Sequence, residues 1–82
     1  MALYFLSYDL RKSRDYQKLY DELANFGALR MLESCWCFKR INTSASALRS
    51  HFKKVVDSDD SLVVSGVSDW ATYNANKTPN EL

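Results

Sequence analysis

The stretch Ala2-Leu3-Tyr4-Phe5-Leu6-Ser7-Tyr8-Asp9-Leu10 decides how the rest of the chain is read. Seven of its nine residues are apolar or aromatic, broken only by Ser7 and Asp9, and the Leu3–Leu6 core is apolar on both faces of an extended chain. A strand of that kind belongs in the middle of a sheet, with a neighbour on each side. Asp9 falls at its carboxyl end, where a carboxylate suits a sheet edge, an interface or a ligand better than a core. Arg11, Lys12 and Arg14 follow at once.

Downstream, Ser13 reads as an N-cap with Asp15 in the first turn. Tyr16, Leu19, Tyr20, Leu23 and Phe26 then recur at i, i+3, i+4, i+7 and i+10, one amphipathic helix. Gly27 stops it as the residue best able to take the left-handed C′ conformation. Tyr16 and Tyr20 read as packing residues with wet hydroxyls. The segment Ala28–Ile41 is strand-like but long for one strand, so it is expected to bend, bulge or divide near Glu33-Ser34.

A second helix is expected from about Ser44 to Val56, burying Ala45, Leu48, Phe52, Val55 and Val56 and turning Arg49, Lys53 and Lys54 outward. His51 flanks the apolar stripe without a partner visible in the sequence and reads as a surface or satisfied residue rather than a ligand. The acidic loop Asp57–Ser61 lacks the Gly and the distal Glu of a calcium loop. Leu62–Val67 is the last clear strand. Trp70 and Tyr73 lie in a segment otherwise rich in small and polar residues, and they suit an interface with a partner. Residues 77–82, with Pro79, are expected to fray.

The order strand, helix, one or two strands, helix, strand is the ferredoxin-like βαββαβ pattern, an α+β fold with both helices on one face of an antiparallel sheet. One domain of 82 residues has little core of its own, which favours a homodimer, with the segment after Val67 docked on the partner's sheet edge. No apolar run nears the roughly 18 residues of a membrane span, and Met1-Ala2 lead directly into the strand, so a cytoplasmic protein is expected. Cys35 and Cys37 point the same way from a strand and read as buried reduced thiols rather than a redox or metal pair.

The net charge of +1 conceals an asymmetry. Residues 1–54 hold ten basic against five acidic residues, a net +5, and residues 55–82 hold one against five, a net −4. Arg11, Lys12 and Arg14 beyond the strand end, with Arg49, Lys53 and Lys54 on the second helix, would contact phosphates without reading bases. There is no phosphate-binding Gly loop and no Ser or Cys nucleophile with a His base and an orienting group, which argues against conventional hydrolase or nucleotide-enzyme chemistry.

A first strand ending Ser7-Tyr8-Asp9-Leu10, a helix closing on Gly27, Arg30 followed four positions later by Ser34, and a late Asp59-Asp60-Ser61-Leu62-Val63 resemble the small CRISPR-associated adaptation subunit, the dimeric partner of the spacer integrase in antiviral defense. The ending Asp69-Trp70-Ala71-Thr72-Tyr73-Asn74-Ala75, followed by Thr78-Pro79-Asn80, is similar to its compact SinR-like branch. VapD-like ribonucleases are similar in fold and in the strand-end Asp. The resemblance implies a homodimer, sheet against sheet, that binds nucleic-acid backbone. It also implies that Asp9 ligates magnesium in a metal-dependent nuclease, with Arg30 and Ser34 near that site and a spacer integrase subunit as a further partner. The chain departs from the family in its shortness, its low net charge and Glu33 between Arg30 and Ser34.

Three functions of different classes follow: a nucleic-acid-binding scaffold; an endonuclease or endoribonuclease toxin in which two Asp9 carboxylates share a magnesium ion across the dimer; and a protein-interaction module built on Trp70 and Tyr73. The structural alternative for Asp9 is to cap the following turn or pair with Arg11 or Arg14.

Overall fold

The computed structural model describes residues 1–11 and 16–82. The elements are β1 (Ala2–Asp9), α1 (Gln17–Asn25), β2 (Leu29–Leu32), β3 (Cys35–Arg40), α2 (Ala45–Phe52) continued by a 3₁₀ turn (Lys53–Val55), β4 (Ser61–Val67) and a second 3₁₀ turn (Pro79–Glu81). The described residues form a four-stranded antiparallel sheet in the order β2-β3-β1-β4, with two α-helices. This α+β architecture is compatible with the ferredoxin-like pattern. As its apolar character on both faces requires, β1 is internal, paired with β3 and β4. No helix of the described residues is long and apolar enough to cross a membrane.

Alternation along β1 divides the core in two. Tyr4 and Leu6 share one cluster with Phe38 of β3, Leu19 and Leu23 of α1, and Leu48 and Phe52 of α2. Phe38 is a hub for rings, with centroids 6.0 Å from Tyr4, 5.2 Å from Phe26 and 5.9 Å from Phe52. Both helices therefore bury their stripes against one face of the sheet.

The helix ends follow local chemistry. At α1, Gly27 takes φ 67°, the Ala28 N–H reaches the Leu23 carbonyl at 3.0 Å and the Gly27 N–H reaches Ala24 at 2.9 Å. That is a Schellman closure. At α2, Ser44 caps the helix, its hydroxyl accepting from the Ala47 N–H at 3.1 Å. The N-cap expected of Ser13, with Asp15, lies outside the described residues, as do Lys12 and Arg14; α1 begins after Tyr16 without a side-chain cap. Between β2 and β3 the chain turns at Glu33-Ser34, and the register shifts between Arg30 and Leu32. The long strand-like segment thus both divides and bulges.

The opposite face of the sheet carries a second, smaller core. Cys37 is fully buried and Met31 nearly so, neither belonging to the helix-side cluster. Cys37 stands opposite Phe5, and the Ser7 hydroxyl donates to Cys35 Sγ at 3.3 Å. Both thiols are free, and burial is the main cause that pushes the Cys37 thiol up.

The chain after β4 crosses this face. Ala71, Thr72, Tyr73 and Ala75 line a hollow with Phe5, Met31, Leu32 and Cys35, and the Asn76 N–H donates to the Met31 carbonyl at 2.8 Å. Within the chain, the segment after Val67, expected to dock on a partner's sheet edge, lies on its own sheet and reaches its own β2 edge. The physical reason is proximity: β1 and β3 turn Leu3, Phe5, Cys35 and Cys37 to this face, so the apolar surface nearest to the segment belongs to the same chain. Within residues 77–82, where fraying is expected, Pro79 is buried and Pro79–Glu81 form a 3₁₀ turn closed by a Thr78/Glu81 capping box.

Candidate functional site

Tyr8 is the last residue of β1 to point toward the helices, and it ties the strand end to the β2–β3 turn. Its N–H donates to the Ser34 carbonyl at 3.1 Å and its hydroxyl to the Glu33 carbonyl at 3.0 Å, while Trp36 Nε1 donates to Tyr8 Oη at 3.2 Å. Burial chiefly, then the hydrogen bond with Tyr20, holds the Tyr8 phenol above its ordinary value. It is an anchor, poorly suited to act as a base.

Arg30 is held just as closely. Its Nε and Nη2 both reach the Glu33 carbonyl, at 3.0 and 2.6 Å, and Nη2 reaches Tyr20 Oη at 3.3 Å. The guanidinium lies 5.0 Å from the Tyr20 ring centroid and 5.7 Å from that of Trp36, so cation–π attraction adds to the turn-capping hydrogen bonds. Tyr20 and Trp36 are nearly stacked at 5.7 Å, and Tyr16 continues the aromatic row 6.2 Å from Tyr20. A shallow hollow of about 200 Å³ is lined by Tyr16 and Tyr20 of this row, with Arg30, Asp9, Glu33 and Ser34. Asp9, Arg30 and Ser34 thus line one hollow at one sheet end.

Arg11 leaves β1 at the same end. Its Nε lies 3.6 Å from Asp9 Oδ2, both side chains well exposed, at 59% and 72%. Its N–H donates to Asp60 Oδ1 at 2.9 Å, and the other oxygen of Asp60 accepts from the Asp57 N–H at 2.9 Å. Asp60 is therefore a local backbone cap that fixes the acidic loop against the end of β1. The pairing expected of Asp9 with Arg11 is present, though at this exposure it is worth only about 0–1 kcal/mol.

The remaining basic residues divide. Lys54, in the 3₁₀ turn after α2, lines a second hollow of about 110 Å³ beside Lys18 of α1, with Tyr16 and Leu10 shared between the two hollows. Lys53 and Arg49 are exposed, the Arg49 guanidinium resting against its neighbour Ser50 at 3.4 Å. Trp70 is half-buried and Tyr73 is 88% exposed, so the two aromatics do not share one environment. His51 gains a partner that the sequence did not reveal, bonding to Glu22 across the two helices and holding that carboxyl below its ordinary value.

Magnesium is usually held by one or two carboxylates, with waters and substrate phosphates supplying its other oxygen ligands. Among the described residues no group of three or more His, Cys, Asp or Glu side chains could hold a metal ion. Asp9 stands at the sheet end with the Arg11 guanidinium beside it. Lys18, Tyr16 and Tyr20 were missed as site residues because helical spacing alone explains them as surface and packing positions, and Trp36 because an aromatic on a strand reads as packing. No known protein-family model matches the chain.

Proposed function

We propose that this chain is a ferredoxin-like domain that acts as a homodimeric scaffold on nucleic-acid backbone, the role implied by its resemblance to the small CRISPR-associated adaptation subunit. The observation that carries the reading is the meeting of three exposed cations from separate stretches at one end of the molecule. Lys18 and Lys54 line one hollow together with Asp57 and Asp60, and the backbone N–H of Arg11 bonds to Asp60 while its guanidinium lies beside Asp9. Cations on separate rigid elements suit a phosphate backbone, which asks for spaced positive charge rather than for base-specific donors.

The test is binding to labelled nucleic acid across a salt series. Wild-type affinity is expected to fall steeply with salt and to be indifferent to sequence. Arg11→Ala with Lys54→Ala should weaken binding and flatten the slope by about 0.9 for each phosphate no longer neutralised on duplex, or about 0.7 on a single strand. An unchanged slope in a folded double variant removes this surface from the account.

A further inference from the structure

We infer that the hollow beside Tyr16 takes an unpaired base by stacking, so that the nucleic acid held at this end is single-stranded; the inference rests on the backbone-binding reading above. Tyr16 is 37% exposed and lies between two hollows of different chemistry, since it lines both. On one side are the ammonium groups of Lys18 and Lys54. On the other are Tyr20, Tyr8 and Arg30. A nucleotide has the same division, an anionic phosphate joined to a flat, weakly polar ring.

The aromatic side is already ordered. Tyr20 is flanked by Tyr16 and Trp36 at 6.2 and 5.7 Å, and Arg30 is pinned over Tyr20 and Trp36 by the Glu33 carbonyl. A base laid against this row would cost little further side-chain ordering. At about 200 Å³ the hollow is below the roughly 300 Å³ at which pockets begin to enclose drug-sized ligands, so it suits one ring rather than a whole cofactor.

Its polar groups are also largely engaged. Tyr8 Oη both donates and accepts, and Arg30 spends Nε and Nη2 on the protein. Few directed donors are left to read a base edge, so recognition would be by stacking and tolerant of sequence. Asp9 and Glu33 at the rim disfavour a phosphate there, whereas the other hollow offers the two ammonium groups of Lys18 and Lys54. Asp57 and Asp60 also line the lysine side, so a phosphate there would be held by direct contact with the ammonium groups rather than by a net positive field.

Fluorescence anisotropy would compare labelled strands of about 12 nucleotides, a length within the usual range of single-strand sites: oligothymidine, an abasic strand of equal charge, and a duplex. The expected result is that wild-type protein binds oligothymidine about tenfold more tightly than the abasic strand. Tyr16→Leu should lose most of that preference and Tyr16→Phe should keep it. Equal binding of oligothymidine and abasic strand by the wild type overturns stacking and leaves the backbone reading standing. Preference for duplex does the same. No binding to any of the three at low salt overturns both.

Discussion

At Gly27 the backbone takes φ 67°, and nothing lies within 4 Å of where a Cβ would stand. A side chain would therefore meet no clash, and its whole cost would be the left-handed backbone, about 1–2 kcal/mol for an L-residue. Gly27→Ala is expected to lose about 1 kcal/mol in urea unfolding with the m-value unchanged. Stability equal to wild type would show that the cap is dispensable. The glycine was legible in the sequence, as was the Ser44 cap, because capping involves residues three to five positions apart. The place of Arg30 was not, since Tyr20 and Trp36 come to it from α1 and β3.

Between elements, the Glu22–His51 pair latches α1 to α2, with the His51 ring against Phe26 at 5.4 Å and Phe52 at 5.3 Å. The bond from His51, then that from Asn25, draws the Glu22 carboxyl below its ordinary 4.5. A carboxyl depressed in the folded state contributes stability that is fully present above its unfolded pKa and is lost as pH falls through the lower folded value. Stability of the wild type is therefore expected to decline as pH drops below about 4.5. Glu22→Gln should be less stable near neutral pH and show a shallower acid limb, measured by urea midpoints across the pH series. Parallel limbs would assign the acid sensitivity to other carboxylates. The strand and helix periodicities were readable, but nothing in the spacing of residues 22 and 51 marked them as neighbours.

For the molecule as a whole, the segment after β4 acts as a strap over the second core, and Cys37 reports on it. In a Cys35→Ser background, Cys37 of the full chain is expected to resist a thiol reagent under native conditions, its burial also disfavouring the thiolate. A chain ending at Val67 should label readily and, with Met31 and Phe5 uncovered, self-associate in light scattering. Continued protection of Cys37 in the truncated chain would show that the strap does not cover it.

The sequence by itself determined the elements and their order: a strand apolar on both faces had to be internal, a 3.6-residue stripe had to face a sheet, and Gly27, Ser44 and the Glu33-Ser34 turn set boundaries. These are decisions of short range, settled by residues within a few positions of one another. Tertiary structure alone decided what meets whom. Strand pairing brought the β2–β3 turn to the end of β1, so that Asp9, Arg30 and Ser34 share a hollow, and helix packing set Lys18 beside Lys54 and Glu22 beside His51. The same strand order put β4 and β2 on opposite edges, so the chain leaving β4 crosses the uncovered face to reach Met31. Local patterning marks that crossing segment as polar and aromatic-bearing, but the apolar surface that holds it is assembled from strands far away in sequence.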